Sequence, residues 1–212
     1  FKKYNDIEGV IHFAASKAVG ESVINPLKYY ENNLITLINL LQEINNIKRN
    51  ISFIFSSSCT VYGQADSLPI KEEDVIKKAE SPYGNTKQVC EEIIIDSCKA
   101  NDNLKAIILR YFNPIGAHPS SEIGELPIGK PQNLVPFITQ TAVGKYDKLT
   151  IFGNDYTTED GTCIRDYIHV VDLAKAHIKS LKRLIENKNI SNYDIFNIGT
   201  GKGSSVLEVI KS

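Results

Sequence analysis

Tyr83 and Lys87 are four residues apart in the segment SPYGNTK, which opens a helix-like stretch. On a helix, side chains at this spacing lie one turn apart on the same face. A lysine ammonium close to a phenol favours the phenolate and lowers the pKa of the tyrosine from its usual value of about 10. The pair therefore predicts that Tyr83 transfers protons. A chain with ten tyrosines and 20 lysines readily contains one such pair by chance, so the neighbouring motifs must decide.

Three serines, Ser56–Ser58, directly follow the apolar run 51–55. Ligands of open α/β sheets bind outside the carboxyl ends of the strands. A polar turn at the end of a strand is the simpler interpretation of the serines alone. A serine at a strand end, combined with a Tyr–Lys pair opening the next long helix, is far rarer by chance. We therefore expect Ser58, Tyr83 and Lys87 to act together as a catalytic site.

Apolar and helix-like stretches alternate along the chain. Strands are predicted at 10–15, 51–56, 106–111, 149–152 and 193–198, and helices at 26–45, 81–100, 134–145, 171–187 and 204–210. Strands separated by helices of this length predict βαβ units and a mostly parallel sheet. Glycine, proline, serine and asparagine crowd residues 113–133, which marks the start of a more loop-rich part.

The composition narrows the class of protein. The formal net charge of −1 gives no basic surface for nucleic acid or an anionic membrane, and no apolar run is long enough to span a bilayer. The four cysteines form no C-x-x-C pair, which favours free thiols, and the four histidines lack metal-ligand spacing. We expect a cytoplasmic protein without a metal site. The chain begins at Phe1 and contains no methionine, so we expect an internal piece of a longer protein.

Four segments carry a resemblance to a known family: SSSCTVYG at 56–63, SPYGNTK at 81–87, LRYFNPIGAH at 109–118 and FGNDYTTEDGTCIRDYIHVVDLA at 152–174. The order and the amino-acid sequences of these segments resemble those of the extended short-chain dehydrogenase/reductase family, and within it those of the epimerases of nucleotide sugars. The resemblance implies an α/β fold, the C-terminal part of a Rossmann-like doubly wound parallel sheet with a smaller α/β substrate-binding domain. Residues 1–115 and 168–198 would belong to the NAD-binding domain, and residues 116–167 and 199–212 to the UDP-sugar-binding domain.

The same resemblance implies a reaction: reversible interconversion of UDP-glucose and UDP-galactose, in galactose metabolism, by transient oxidation at sugar C4 with tightly bound NAD. Tyr83 would take the proton of the 4-hydroxyl, and Ser58 would hydrogen-bond the 4-oxygen. Lys87 would bind the nicotinamide ribose and lower the pKa of Tyr83. Family members are commonly dimers joined through two long helices, here 26–45 and 81–100, so a homodimer is expected.

Binding residues follow from the same resemblance, position by position. The cofactor-binding set implied is Phe13, Ala14, Ala15, Lys17, Asn33, Ser56, Tyr83, Lys87 and Tyr111. The substrate-binding set implied is Lys17, Ser58, Tyr83, Phe112, Asn113, Asn133, Leu134, Thr150, Ile151, Phe152 and Arg165.

Other interpretations stay open. Dehydratases of nucleotide sugars carry an acidic pair after the strand-end threonine, and the segment CTVY at 59–62 is not acidic, which argues against dehydration. An epimerase of another UDP-sugar, an N-acetylhexosamine or a pentose, fits the same motifs, and so does a non-catalytic nucleotide-sugar-binding protein. Arg165 would pair with the substrate diphosphate, or with Asp155, Glu159 or Asp160. Because no G-x-G-x-x-G precedes the first strand, we expect the 212 residues alone to bind NAD weakly.

Overall fold

Strands and helices alternate along residues 1, 3–47 and 49–212, which the computed structural model describes. The strands are β1 (Gly9–His12), β2 (Ile51–Ser56), β3 (Leu104–Tyr111), β4 (Asn113–Ile115), β5 (Ile164–His169), β6 (Tyr193–Ile198) and β7 (Gly203–Ser205). The helices are α1 (Val19–Ile24), α2 (Pro26–Tyr30), α3 (Thr36–Ile47), α4 (Pro82–Ala100), α5 (Leu134–Ala142), α6 (Val170–Ile185) and α7 (Val206–Lys211). A π-helical turn, Glu31–Ile35, joins α2 to α3, and a 3₁₀ turn, Cys59–Tyr62, follows β2.

A four-stranded parallel sheet in the order β1-β2-β3-β6 forms the centre of the first of two units. This unit consists of Phe1–Tyr111 and Lys175–Ile198. The register pairs His12 with Phe55 and Ser56 with Leu109. Because parallel strands end at the same edge, the segments that follow β1, β2 and β3 all leave the sheet there.

Apolar side chains of the sheet pack against helices on both faces. On one face, Phe53 of β2 lies in a cluster with Leu37 of α3 and Ile94 of α4. On the other face, Ile54 of β2 lies in a cluster with Leu184 of α6. Full burial of one such side chain stabilises a fold by roughly 1.5–3 kcal/mol. Strands covered on both faces have near-continuous apolar sequences, as β2 does. The predicted Rossmann-like doubly wound α/β fold is confirmed.

The second unit consists of Phe112–Ala174 and Gly199–Ser212. Its three-stranded sheet has the order β4-β5-β7, with β4 parallel and β7 antiparallel to β5. Ser205 caps α7 in a reciprocal capping box with Glu208. The Asp166 carboxylate accepts the N–H of Thr200 at 2.9 Å and that of Gly201 at 2.8 Å, which fixes the turn leading into β7.

The sequence predicted the long strands of the first unit and misjudged the short ones of the second. No strand forms at 149–152, where Ile151 and Phe152 are 40% and 85% exposed. Apolar residues predicted a strand there, but a strand also needs a neighbour that accepts its hydrogen bonds. Strands β4 and β7 were missed because they have three residues each, and β5 was missed because polar residues interrupt its six-residue sequence IRDYIH. Asn113–Ile115, assigned by sequence to the NAD-binding domain, pairs with β5 in the second unit.

Candidate active site

The end of β2 places three serines at one point of the sheet edge. The N–H of Ser57 donates to the Leu109 carbonyl at 2.9 Å, so the ladder with β3 continues one residue past β2. Ser58 has an extended backbone, and its hydroxyl accepts the N–H of Thr60 at 3.3 Å, which begins the 3₁₀ turn. Ser56, Ser57 and Ser58 are all buried. The serines are therefore fixed by the strand on one side and by the turn on the other.

Helix α4 begins with local signals that its sequence supplies. Ser81 is the N-cap, and its hydroxyl accepts the N–H of Gly84 at 3.1 Å. Pro82 occupies the first helical position, where no N–H is needed. These two residues set where the helix starts, and Tyr83 follows immediately at its first turn.

Tyr83 and Lys87 lie one turn apart on the buried side of α4, 8% and 5% exposed. The Lys87 ammonium donates to the Ser56 carbonyl at 2.7 Å and lies 4.7 Å from the centroid of the Phe55 ring. The structure thus brings Ser56, Ser58, Tyr83 and Lys87 together at the carboxyl end of β2. Their predicted roles in binding and catalysis remain a prediction.

Burial decides the protonation of both groups. It raises the pKa of Tyr83 above its ordinary value of 10, and Tyr111 adds to this while a hydrogen bond with Ser58 opposes it. Burial lowers the pKa of Lys87 from 10.5 to about 8. At neutral pH Tyr83 is therefore a neutral phenol and Lys87 a cation. The predicted lowering of the Tyr83 pKa by Lys87 is not observed. The Lys87 ammonium lies 6.0 Å from the ring centroid and is bonded to Ser56, so its effect on the Tyr83 pKa is smaller than the opposite effect of burial.

The loop after β1 carries the first predicted cofactor contacts, Phe13, Ala14, Ala15 and Lys17. Phe13 is 58% exposed, and its ring centroid is 4.6 Å from that of His177 of α6. Nε2 of His177 lies 2.9 Å from the Ser56 hydroxyl, so α6, the β1 loop and the end of β2 meet at this side chain. Sequence reasoning missed His177, since its partner Ser56 is 121 residues away and no local motif links them.

Asn33, in the π-helical turn, is 2% exposed and holds the same loop. Its Oδ1 accepts the N–H of Ser16 at 2.8 Å, and its Nδ2 donates to the Ser16 carbonyl at 3.1 Å and to the Thr86 hydroxyl at 3.0 Å. Thr86 in turn donates to the Tyr83 carbonyl at 2.7 Å. The Asn33 amide therefore ties the β1 loop to the helix that carries Tyr83. Its predicted contact with the cofactor remains untested.

Tyr111, the last residue of β3, completes the predicted cofactor set in the first unit. Its side chain is half-buried, and burial raises its pKa. Its ring centroid lies 6.1 Å from that of His177.

The remaining predicted substrate contacts lie in the second unit. They are Phe112 before β4, Asn113 at its start, Asn133 and Leu134 at the start of α5, Thr150, Ile151 and Phe152 in irregular backbone, and Arg165 in β5. The exposed Arg165 guanidinium donates through Nη1 to the Ile164 carbonyl at 2.7 Å. Asp160, one alternative partner of Arg165, accepts the N–H of Thr162 at 2.9 Å and a hydrogen bond from the Ser205 hydroxyl.

A buried ion pair beside the site was also missed. Arg110 of β3 and Glu91 of α4 are each 2% exposed, and Nη2 of Arg110 lies 2.6 Å from Oε2 of Glu91. Two signals could have found it. Arg110 interrupts an otherwise apolar run, and Glu91 continues the four-residue spacing of Tyr83 and Lys87.

The described residues show neither a metal-binding cluster nor a helix able to span a membrane. Within the described part of the chain, no group of three or more His, Cys, Asp or Glu side chains could hold a metal ion. No helix found among residues 1, 3–47 and 49–212 combines the length and apolar character needed to cross a membrane. None of the four cysteines, all of which lie in the described part of the chain, forms a disulfide. Burial raises the pKa of Cys90 to about 11 and that of Cys98 to about 12, so both are protonated at neutral pH.

Comparison with known proteins finds one family along nearly the whole chain. Residues 1–199 match the NAD dependent epimerase/dehydratase family. The chain is 54% identical over 205 residues to UDP-glucose 4-epimerase GEPI48 of Cyamopsis tetragonoloba, which covers 97% of this chain and 57% of that protein. It is 50% identical over 205 residues to the bifunctional UDP-glucose 4-epimerase and UDP-xylose 4-epimerase 1 of Pisum sativum, covering 96% of this chain and 57% of that protein.

Solved structures give the same result. The structure of UDP-glucose 4-epimerase from Bifidobacterium longum in complex with NAD⁺ and UDP matches with a TM-score of 0.88 at 47% identity, over 97% of this chain and 60% of that one. The chain thus spans between half and two thirds of the length of these relatives.

Proposed function

Because the chain belongs to the NAD dependent epimerase/dehydratase family, we propose that it is the catalytic part of an NAD-dependent UDP-glucose 4-epimerase of galactose metabolism. The reaction proposed is the reversible interconversion of UDP-glucose and UDP-galactose. One observation supports it most strongly: Tyr83 and Lys87 lie buried on one face of α4, with Lys87 bonded to the strand end that carries Ser58. The substrate is taken from the names of the relatives.

The residues at the edge of the first sheet fit NAD. The Lys87 ammonium has three N–H donors and gives one of them to Ser56, so the other two suit the hydroxyls of a ribose. Phe13 presents an exposed ring at the end of β1, and the small side chains of Ala14 and Ala15 allow close approach of a flat group. Lys17 supplies a cation suited to a diphosphate. NAD⁺ held by these residues would supply a reversible hydride acceptor for C4 of the sugar.

Tyr83 is proposed to move the proton of the sugar 4-hydroxyl. In the structure it is a neutral phenol, since burial holds its pKa above 10. It can therefore donate a proton as it stands. It can accept one only when positive charge beyond that of Lys87 lowers its pKa, and a bound nicotinamide cation would add that charge.

Ser58 is proposed to hydrogen-bond the sugar 4-oxygen. Its hydroxyl is 8% exposed and accepts a long hydrogen bond of 3.3 Å from the N–H of Thr60, an interaction that leaves the hydroxyl proton available to donate. Its interaction with Tyr83 offers a path for the proton between the two side chains. Lys87 would hold the ribose and keep its positive charge near Tyr83.

The uridine diphosphate is proposed to bind residues of the second unit. The exposed Arg165 guanidinium is a planar fork of donors suited to phosphate oxygens. The irregular backbone at Thr150, Ile151 and Phe152 has amide and carbonyl groups outside any strand, which suits a uracil edge. Phe112, Asn113, Asn133 and Leu134 are proposed to contact the sugar side of the nucleotide.

The test is turnover by the full-length protein. UDP-galactose, UDP-N-acetylgalactosamine and UDP-xylose are each incubated with it, and products are separated by chromatography. Conversion of UDP-galactose to UDP-glucose without added oxidant, with NAD released on denaturation, is expected. Conversion of another UDP-sugar but not of UDP-galactose would show that the proposed substrate is wrong and that the other UDP-sugar is the substrate. Bound NAD and bound UDP-sugar without turnover of any of the three would identify a non-catalytic binding protein.

We also propose that the full-length protein is a cytoplasmic homodimer. Leu27 of α2 is 80% exposed and Ile35 of the π-helical turn is 49% exposed, so the α2–α3 segment carries apolar side chains that a second copy would cover. The absence of a disulfide among the four described cysteines suits a reducing compartment.

A further inference from the structure

Glu91 and Arg110 form an ion pair that the proposed mechanism does not use. Both are 2% exposed. Nε of Arg110 donates to both carboxylate oxygens of Glu91 at 3.1 Å, and Nη2 donates to Oε2 at 2.6 Å. Removing two charges from water offsets most of the attraction between them, so burial of the pair is weak support for a role in stability. The contacts of the pair indicate a different role.

Ser57, directly before Ser58, is the first of these contacts. Its hydroxyl donates to Oε1 of Glu91 at 2.5 Å, and its N–H donates to the Leu109 carbonyl at 2.9 Å. Its side chain is fully buried. Ser57 is therefore held through its backbone by β3 and through its side chain by α4.

Tyr62, at the end of the 3₁₀ turn that begins directly after Ser58, is the second contact. Its hydroxyl accepts a hydrogen bond from Nη1 of Arg110 at 2.9 Å and donates to Oδ1 of Asn197 at 2.7 Å. The side chain is 1% exposed. The chain is thus anchored on both sides of Ser58, and both anchors end on the same ion pair.

The helix side of the arrangement is equally specific. Glu91 lies two turns after Tyr83 and one turn after Lys87, on the same face of α4. This face contacts the strand end twice, through Lys87 to the Ser56 carbonyl and through Glu91 to the Ser57 hydroxyl. We propose that the Glu91–Arg110 pair is a positioning element that holds Ser57 and Tyr62 and thereby sets the place of Ser58 relative to Tyr83. The inference rests on the proposed function of Ser58 and Tyr83.

The test is Ser57→Ala in the full-length protein. This change removes the hydroxyl that reaches Glu91 and leaves the ion pair intact. A small displacement of a catalytic group is enough to slow a reaction about 100-fold, so we expect kcat for UDP-galactose to fall by about 10- to 100-fold. Since the nucleotide contacts are unchanged, KM should stay within about threefold of the parent value, and bound NAD should remain.

Ser97→Ala is the matched control. Ser97 lies on α4, its hydroxyl donates to the Ile93 carbonyl at 2.7 Å, and it is away from the strand end. Both variants lose one serine hydrogen bond, so their Tm values should be similar, while only Ser57→Ala should lose kcat. A parent-like kcat in Ser57→Ala, or equal loss of kcat in both variants, would overturn the proposal.

Tyr62→Phe and a crystal structure of Ser57→Ala complete the test. Tyr62→Phe removes the second anchor, and a lowered kcat with unchanged KM is again expected. If the parent does not turn over UDP-galactose, the proposed function fails, and the crystal structure still decides the inference. A shift of the Ser58 hydroxyl relative to that of Tyr83, with the ion pair in place, supports positioning. An unchanged Ser58 contradicts it.

Discussion

At the scale of the residue, the candidate site contains two buried groups, Tyr83 and Lys87, whose pKa values burial shifts in opposite directions, away from one another. Burial raises the pKa of Tyr83 and lowers that of Lys87 to about 8, since in each case the charged form loses water. The Ser56 carbonyl and the Phe55 ring partly replace that water around the ammonium. Among the described residues, no carboxylate is hydrogen-bonded to the Lys87 ammonium, and burial of such a cation destabilises the fold. The role proposed for Lys87, binding of the nicotinamide ribose, would explain why a lysine occupies this position.

Lys87→Met tests the destabilisation caused by the buried cation, through the pH dependence of the free energy of unfolding. Between pH 8 and 10.5 the unfolded chain holds a proton on Lys87 that the folded chain has lost, so the free energy of unfolding of the parent rises with pH in this window. The variant lacks this rise and should be more stable than the parent at pH 7 by up to about 3 kcal/mol, apart from its lost bond to Ser56. Urea unfolding of both proteins from pH 7 to 10.5 measures the difference. Parallel curves would contradict the lowered pKa.

At the candidate site, short local motifs predicted which residues lie together, and the roles of these residues stay a prediction. Ser58, Tyr83 and Lys87 stand in short motifs, and the structure brings them together. His177 and Arg110 could not be found in this way, because their partners are brought near only by the sheet. The sequence also misjudged the sign of the Tyr83 pKa shift, since spacing reveals a nearby cation but not the loss of solvent.

At the scale of the element, helix α4 is bonded to the end of β2 through Lys87 and Glu91. The predicted helix 26–45 is divided in the structure into α2, a π-helical turn and α3, and the sequence does not reveal this interruption. Its apolar spacing is typical of a helix throughout. The π turn carries Asn33, whose contacts with Ser16 and Thr86 are long-range and leave no pattern in the local sequence. Such single-turn π segments frequently occur at functional sites.

Gly63→Ala tests the turn that follows the 3₁₀ segment. Gly63 has φ +61°, and an added Cβ would lie 2.5 Å from the Lys78 carbonyl oxygen. We expect the change to lower the free energy of unfolding by about 1–3 kcal/mol or more. Gly20→Ala in α1 is the control, because its Cβ meets nothing within 4 Å, and it should be neutral or stabilising by up to about 1 kcal/mol. Chemical denaturation measures the free energy of unfolding of both variants. Equal changes in the two would contradict the conclusion that a side chain at position 63 strains this turn.

Arg110→Met tests the link between β3 and α4. The change leaves the buried Glu91 carboxylate without its cation, and removal of one partner of a buried pair typically destabilises a protein by about 3–5 kcal/mol. Lys99→Met is the control on the same helix, since Lys99 and Asp96 form an exposed pair and should contribute less than about 1 kcal/mol. Urea midpoints of the two variants are compared with that of the parent. A similar small loss in both would contradict the proposed link between β3 and α4.

At the scale of the whole molecule, the alternation of strands and helices was enough to predict a parallel, doubly wound sheet. Strands β2 and β6 were predicted with their observed bounds, because turn residues flank both of these largely apolar segments. The sheet of the second unit could not be predicted, since β7 and β4 have three residues each and take their register from β5. The assignment of NAD to one unit and of the UDP-sugar to the other remains a prediction.

Ile35→Lys in the full-length protein tests the proposed homodimer. A lysine at this half-exposed apolar position would place a charge in the interface, so light scattering should detect a shift from dimer to monomer. Val75→Lys, at a 76% exposed loop position, should leave the parent's mass unchanged. A monomeric parent, or a variant as dimeric as the parent, would contradict this arrangement.

The most direct test of the central claim is turnover of UDP-galactose by the full-length Tyr83→Phe variant. Tyr193→Phe is the control, because Tyr193 begins β6 at the opposite edge of the sheet from the site. If Tyr83 transfers the proton, its variant should lose at least about 100-fold in kcat while it retains NAD and the parent's Tm. The control should turn over as the parent does. Equal turnover in the parent and in Tyr83→Phe would show that another group moves the proton.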